Sequence, residues 1–213
     1  FSNSLLNLKH RGPDDIQLYF KGEIAFGHTR LSIIDLSDNG KQPMLSSDEN
    51  YVIIFNGEIY NYTELKNDLL PKYTFRSNSD TEVLLNAYIE YGKDVLQKID
   101  GIFAFAIYNH SDKSLFIARD HAGIKPFYFS KTKDYISFSS EVKPLLPLIE
   151  NNSVDQASMV KFLTHGSVQE PDTIYEAVKC LPAGSYGFYK DCKLQIHNYY
   201  SYSYAPKIGS NNN

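Results

Sequence analysis

GIFAFAIYNHSDKSLFIARD, residues 101–120, decides the fold class. Residues 102–108 and 114–118 are short runs rich in apolar, aromatic and β-branched side chains, which read as strands. Asn109-His110-Ser111-Asp112 between them supplies turn residues, so the two runs are expected to pair as an antiparallel meander. Further strand-like stretches follow at 126–130 and 135–139, and again within 174–200. Upstream, Ser79-Asp80-Thr81-Glu82 has the spacing of a capping box, with Val83, Leu84, Ala87, Tyr88 and Tyr91 at helical intervals and Gly92 as a stop. Asn61-x-x-Glu64 predicts a second capped helix carrying Leu65, Leu69 and Leu70. Tyr51-Val52-Ile53-Ile54-Phe55 suits a strand buried on both faces. Strands are also expected at 17–20 and 24–34, a turn-rich loop at 37–50, and helices ending near residue 10 and covering 141–148 and 155–165. Strands cluster between helices without regular alternation, which favours a layered α+β protein over a doubly wound one.

Composition narrows the function classes. Lys+Arg 21 against Asp+Glu 25 leaves a formal charge of −4, which disfavours a general nucleic-acid surface. No apolar run approaches the length of a bilayer-spanning helix, so no membrane partner is expected. Cys180 and Cys192 do not form a disulfide framework; a reducing, cytoplasmic setting fits them best. The histidines are scattered, and no Cys-x-x-Cys, G-x-x-x-x-G-K-[ST], G-x-G-x-x-G or G-x-S-x-G occurs. A metal enzyme, a self-contained nucleotide hydrolase and a serine-elbow hydrolase are therefore disfavoured. Arg11, Arg30, Arg76 and Arg119 are the only arginines among 21 basic residues, and an arginine in a lysine-rich chain often has a planar group to grip.

Polar residues stand at the ends of apolar strands. Gly27-His28-Thr29-Arg30 leads into Leu31-Ser32-Ile33-Ile34-Asp35, Phe55 is followed by Asn56-Gly57-Glu58, and Asp80 opens a predicted helix. Together they offer a guanidinium fork for a carboxylate, a carboxylate for an ammonium, and an amide beside a glycine N–H. Such a set suits the backbone of a free amino acid and a polarised side-chain carbonyl. Each also has a plain structural reading: Asp80 as a helix-dipole partner, Asn56-Gly57 as a turn, Arg30 as an ion-pair partner.

The strings HRGPDD (10–15), GHTRLSIIDLS (27–37), FNGEIYN (55–61), SDTEVLL (79–85), DGIFAFAIY (100–108), ARDHAGIKPFYF (118–129) and FSSEVKPLL (138–146) resemble, in order, the glutaminase domain of glutamine-dependent asparagine synthetase. Other class II amidotransferases share the HTR, NG and SDTE elements but look less similar in the IIDLS, EIYN and DHAGIKPFYF segments. The resemblance implies an N-terminal-nucleophile hydrolase fold: an α+β, four-layer α/β/β/α sandwich of antiparallel sheets, here lacking its first strand. It implies an amidotransferase domain over residues 1–198 and a linker at 199–213 toward a synthetase domain outside this chain. L-glutamine is the implied substrate, with Arg30 on its α-carboxylate, Leu31, Ser32, Ile33 and Ile34 as the adjoining wall, and Asp80 on its α-ammonium. Asn56 and Gly57 would form the oxyanion hole, and Glu58 would complete the pocket. No metal or cofactor is implied in this domain; ATP and magnesium belong to the synthetase domain, and a homodimer is possible.

The resemblance also implies a nucleophilic cysteine with a free α-amine in a Met-Cys-Gly-Ile segment. Here residue 1 is Phe, and the methionines are Met44 and Met159, which reads as a piece of a longer chain. Taken literally, the 213 residues are expected to be inactive while the parent hydrolyses glutamine. Two alternatives stand beside this: a glutamine-binding regulatory module without catalysis, and an amidotransferase domain serving another acceptor such as a sugar acid.

Overall fold

The computed structural model describes residues 1–31 and 38–203. Its strands are β1 (Asp15–Lys21), β2 (Ile24–Arg30), β3 (Met44–Leu45), β4 (Tyr51–Ile59), β5 (Gly101–Asn109), β6 (Ser114–Arg119), β7 (Tyr128–Lys131), β8 (Ile136–Ser139), β9 (Lys179–Cys180), β10 (Ser185–Lys190) and β11 (Lys193–Asn198). The α-helices are α1 (Ser2–Leu6), α2 (Tyr62–Leu69), α3 (Asp80–Tyr91) and α4 (Gln156–His165). The stretch expected at 141–148 forms a 3-10 helix, Lys143–Leu148, with Pro144 and Pro147 inside it. Proline lacks the N–H that an α-helical ladder needs there.

An antiparallel sheet in the order β11-β10-β6-β5-β4-β3 forms one layer. Its two faces differ because side chains alternate along a strand. Ile53, Phe55, Phe103, Phe105, Ile107 and Phe116 point to the side covered by α2 and α3, where Leu65, Leu69, Val83, Leu84 and Ala87 complete one core. Val52, Ala104, Ala106, Leu115 and Ile117 point the other way and meet Phe26, Phe127, Phe129 and Leu181 in a second core. That second face carries alanines where the first carries phenylalanines, so it leaves room above β5.

The layer facing the second core is divided. β1 and β2 make a hairpin, and β8-β7-β9 make a separate three-stranded sheet. The two antiparallel sheets expected from the resemblance thus appear, among the described residues, as one continuous sheet and one split one. Phe26 of β2 meets Phe138 of β8 edge-on at 5.6 Å, but among the described residues β2 pairs as a strand only with β1, and β8 only with β7. A groove therefore lies between two strand edges. Leu5 of α1 and a third cluster, Leu145, Ile149 and Val178, back this layer and complete the four-layer stacking.

Two helix-start expectations need correction. Asn61 makes no side-chain cap on α2. Its amide donates to Lys98 O at 2.8 Å and accepts from Asp100 N at 2.9 Å, bracing the turn before β5. Ser79 does cap α3 by accepting from Thr81 N at 3.1 Å, but Glu82 does not return to it. The buried Glu82 carboxylate instead accepts from Arg76 N, Ser77 N and Ser77 Oγ, tying down the loop that delivers Asp80.

The loop after β6 is fixed by its own acid and base. Asp120 accepts from Ala122 N, Ile124 N, Lys125 N and Phe103 N. The buried Arg119 guanidinium donates to the carbonyls of Gly123, Lys125 and Leu181 and to Glu170 at 2.8 Å. Its fork mostly grips backbone.

Candidate active site

β4 is the strand on which the site is built. It pairs with β5 along its whole length, Gly57 opposite Phe103, so Asn56 and Gly57 sit on rigid backbone. Glycine is required at 57: a Cβ there would lie 2.1 Å from Ile102 O. Asn56 shares the face of Val52 and Ile54, toward the divided layer. Its Nδ2 is buried and has no hydrogen-bond partner among the described residues. Burying an amide donor without a partner costs about 1–3 kcal/mol.

Asp80 stands at the start of α3, only 5% exposed, and its Oδ2 accepts from Ile59 N at 3.1 Å. Burial raises its pKa above the ordinary carboxylate value, and Glu58 adds to the rise, against the lowering effect of the Ile59 and Thr81 N–H groups. A carboxylate held in this way gains from a cation beside it. Arg30 ends β2 and is buried.

These groups line one cavity of about 280 Å³, at the small end of ligand pockets. Of the residues expected at the site, Arg30, Leu31, Asn56, Gly57, Glu58 and Asp80 all line it. Ser32, Ile33 and Ile34 lie outside the described residues. Gln42, Thr81 and Lys125 also line the cavity and were not singled out from the sequence. Gln42 accepts from Phe55 N at 2.6 Å and donates to Thr81 Oγ1 at 3.2 Å, so it sets α3 against β4. No local pattern distinguishes a buried glutamine in a turn-rich loop. Lys125 arrives on the loop fixed by Asp120, and no spacing within that loop marks the lysine as a cavity residue.

A second cavity of about 590 Å³ fills the groove between β2 and β8, with Ile54, Ala104 and Ala106 among its lining and Phe1 among its walls. His28, Thr29, Phe55, Asn56 and Arg11 line both cavities, so the groove opens onto the polar pocket. His28 stands at this junction with Nδ1 buried and, among the described residues, without a partner. Burial first, and then the Arg30 guanidinium, pull its pKa down to about 4, against the opposing effect of its hydrogen bond to the Phe55 backbone. The ring is thus neutral at pH 7. Its folded pKa lies below the unfolded value, so stability is lost as pH falls from about 6.5 to about 4. Between pH 7 and pH 4.5, wild type should lose about 2–3 kcal/mol more than His28→Gln. Urea midpoints at the two pH values measure this, and parallel losses in both proteins would refute it.

Neither cysteine belongs to either cavity. Cys180 is buried against Arg119 and Glu170, and burial pushes its thiol up to about 11. Cys192 is exposed in the turn between β10 and β11.

The family model of the glutamine amidotransferase domain matches residues 1–200. Asparagine synthetase [glutamine-hydrolyzing] 1 of Bacillus subtilis is 41% identical over 199 residues, covering 92% of this chain and 31% of that protein. A putative asparagine synthetase [glutamine-hydrolyzing] 2 of Methanocaldococcus jannaschii is 34% identical over 214 residues, covering 91% of this chain and 41% of that one. The chain thus spans about a third of the length of the curated relatives it matches. Among solved structures, glutamine phosphoribosylpyrophosphate amidotransferase from B. subtilis superposes with a TM-score of 0.59 at 22% identity, over 84% of this chain and 36% of that one. That likeness, with the antiparallel sheets described above, shows the N-terminal-nucleophile hydrolase fold.

Proposed function

The chain belongs to the glutamine amidotransferase domain family, and on that premise we propose that its smaller cavity binds L-glutamine and orients its carboxamide for attack. The observation that carries the proposal is the convergence of Arg30, Asp80, Asn56 and Gly57 on one cavity, with Asn56 Nδ2 unpartnered. Arg30 would hold the α-carboxylate through its guanidinium fork. Asp80 would hold the α-ammonium, whose charge offsets the burial of the carboxylate. Leu31 would form part of the wall along the aliphatic chain, and Glu58 the rim.

The nucleophile would be a cysteine thiol of the longer parent polypeptide, reaching the carboxamide through the groove between β2 and β8 that opens onto the pocket. Its α-amine, ordinarily titrating at about 7.7–8.0, would take the thiol proton. The S–Cδ bond forms while the carbonyl oxygen takes negative charge against Asn56 Nδ2 and Gly57 N–H. Collapse of that intermediate breaks the Cδ–N bond, and the proton leaves with ammonia. Water then cleaves the thioester to glutamate. In the parent polypeptide the ammonia would amidate aspartate activated with ATP and magnesium on chain outside these residues.

Calorimetry on the 213-residue polypeptide tests the binding half. L-glutamine should bind without turnover, and Arg30→Ala should weaken binding by at least about 30-fold, the lower end for breaking a buried charge pair. Equal affinities for Arg30→Ala and wild type would remove Arg30 from the site. Glutamate release from the 213 residues alone would show that no further nucleophile is needed.

A further inference from the structure

The helix α4 is placed inside out for an isolated domain. Asp155 caps it, accepting from Ala157 N at 3.1 Å and from Ser158 Oγ at 2.7 Å. Gly166, at φ 75°, ends it, and Lys161 pairs with Asp172 at 3.0 Å. Of its ten residues only Ser158 is buried. Met159, Val160, Phe162 and Leu163 are 43%, 60%, 50% and 76% exposed. At 3.6 residues per turn these four fall within about 160° of the helix circumference, a continuous apolar stripe directed at solvent. A ten-residue helix is marginal in water by itself and is stabilised by burying such a stripe.

We propose that the apolar face of α4 is the docking surface for the remainder of the parent polypeptide, the part of the longer amidotransferase chain that lies outside these 213 residues. Two arguments select that occupant over a second copy of the chain. The curated relatives are about three times as long as the part of them matched here, so most of such a polypeptide lies outside the described layers. A helix of ten residues is about 15 Å long, too small to supply by itself the roughly 800 Å² per partner that a stable encounter between separate molecules buries. A tethered domain needs less, because its effective concentration is in the millimolar range. The occupant should present a complementary apolar surface that accepts Leu163 and Phe162.

The inference rests on the chain being part of a longer amidotransferase, and its test does not use glutamine chemistry. Hydrogen exchange of residues 157–165 is compared in the 213-residue polypeptide and in the full-length parent. Protection in the parent should exceed that in the isolated chain by at least about 100-fold, a coupling of about 2.7 kcal/mol. Phe162→Glu combined with Leu163→Glu should abolish that gain while leaving the circular dichroism and Tm of the isolated chain unchanged. Equal protection in both proteins, or gain retained by the double variant, would overturn the proposal. So would protection in the isolated chain that rises with its concentration, which would assign the face to a second copy. Protection of α4 in a parent that does not hydrolyse glutamine would refute the proposed function and leave the docking surface standing.

Discussion

Replacing Asp80 by Asn is expected to abolish measurable L-glutamine binding and, in the same protein, to raise the urea midpoint of the unliganded chain at pH 7. Both effects have one cause. The carboxylate is buried and accepts from Ile59 N, and burial holds its pKa above the ordinary value against the lowering effect of the backbone N–H groups around it. Because the folded pKa lies above the unfolded one, the folded state binds this proton more tightly. The ionised group therefore costs stability at neutral pH, and that cost disappears as pH falls through the folded pKa toward the unfolded value of 3.8. Asparagine removes the cost and can still accept from Ile59 N. It cannot neutralise an ammonium, and losing one partner of a buried charge pair costs about 2–5 kcal/mol, or roughly 30-fold to several thousandfold in Kd. Calorimetry and urea titration at pH 7 and pH 4 read the two effects. Unchanged glutamine affinity, or destabilisation by Asp80→Asn at pH 7, would contradict this account.

Asn56→Ala in a parent that carries its nucleophile is expected to lower kcat for glutamine hydrolysis by about 10²–10³-fold, with KM changed by less than about threefold. The split follows from where the donor stands. Asn56 Nδ2 is buried and unpartnered before substrate arrives, and β4 is held in register by β5, so the donor needs no reorganisation when charge develops on the carbonyl oxygen. Its contribution should be greater in the transition state than in the bound substrate. The same feature supplies a control: removing an unsatisfied buried donor should not destabilise the unliganded chain, so lost activity would not reflect unfolding. A rise in KM at constant kcat would instead make Asn56 a ground-state binding residue.

Much of the fold was legible because it is local. The runs 102–108 and 114–118 became β5 and β6, and the helix beginning after Ser79 stopped at Gly92, because strand period, capping and a positive-φ stop each lie within a few residues. The failures were also local signals, put to other use. Asn61 and Glu82 had the right spacing for caps, but the turn before β5 and the loop at 76–77 offered them backbone groups that the capping pattern could not foresee. Gln42 carried no signal, since its role depends on Phe55 and Thr81, which tertiary packing brings to it.

The sequence by itself determined the residue types of the candidate site, a fork, an acid and an amide beside a glycine, and the elements that end in them. Tertiary structure decided that they share one cavity. Arg30, Asn56 and Asp80 come from β2, β4 and α3, and their convergence depends on β4–β5 register, the Gln42 bridge and the latch of Glu82 on residues 76–77. It also decided that a groove ends at that cavity and that α4 turns its apolar face outward. Those facts depend on contacts between residues far apart in the chain, whereas periodicity and capping are set by neighbours within a turn or two.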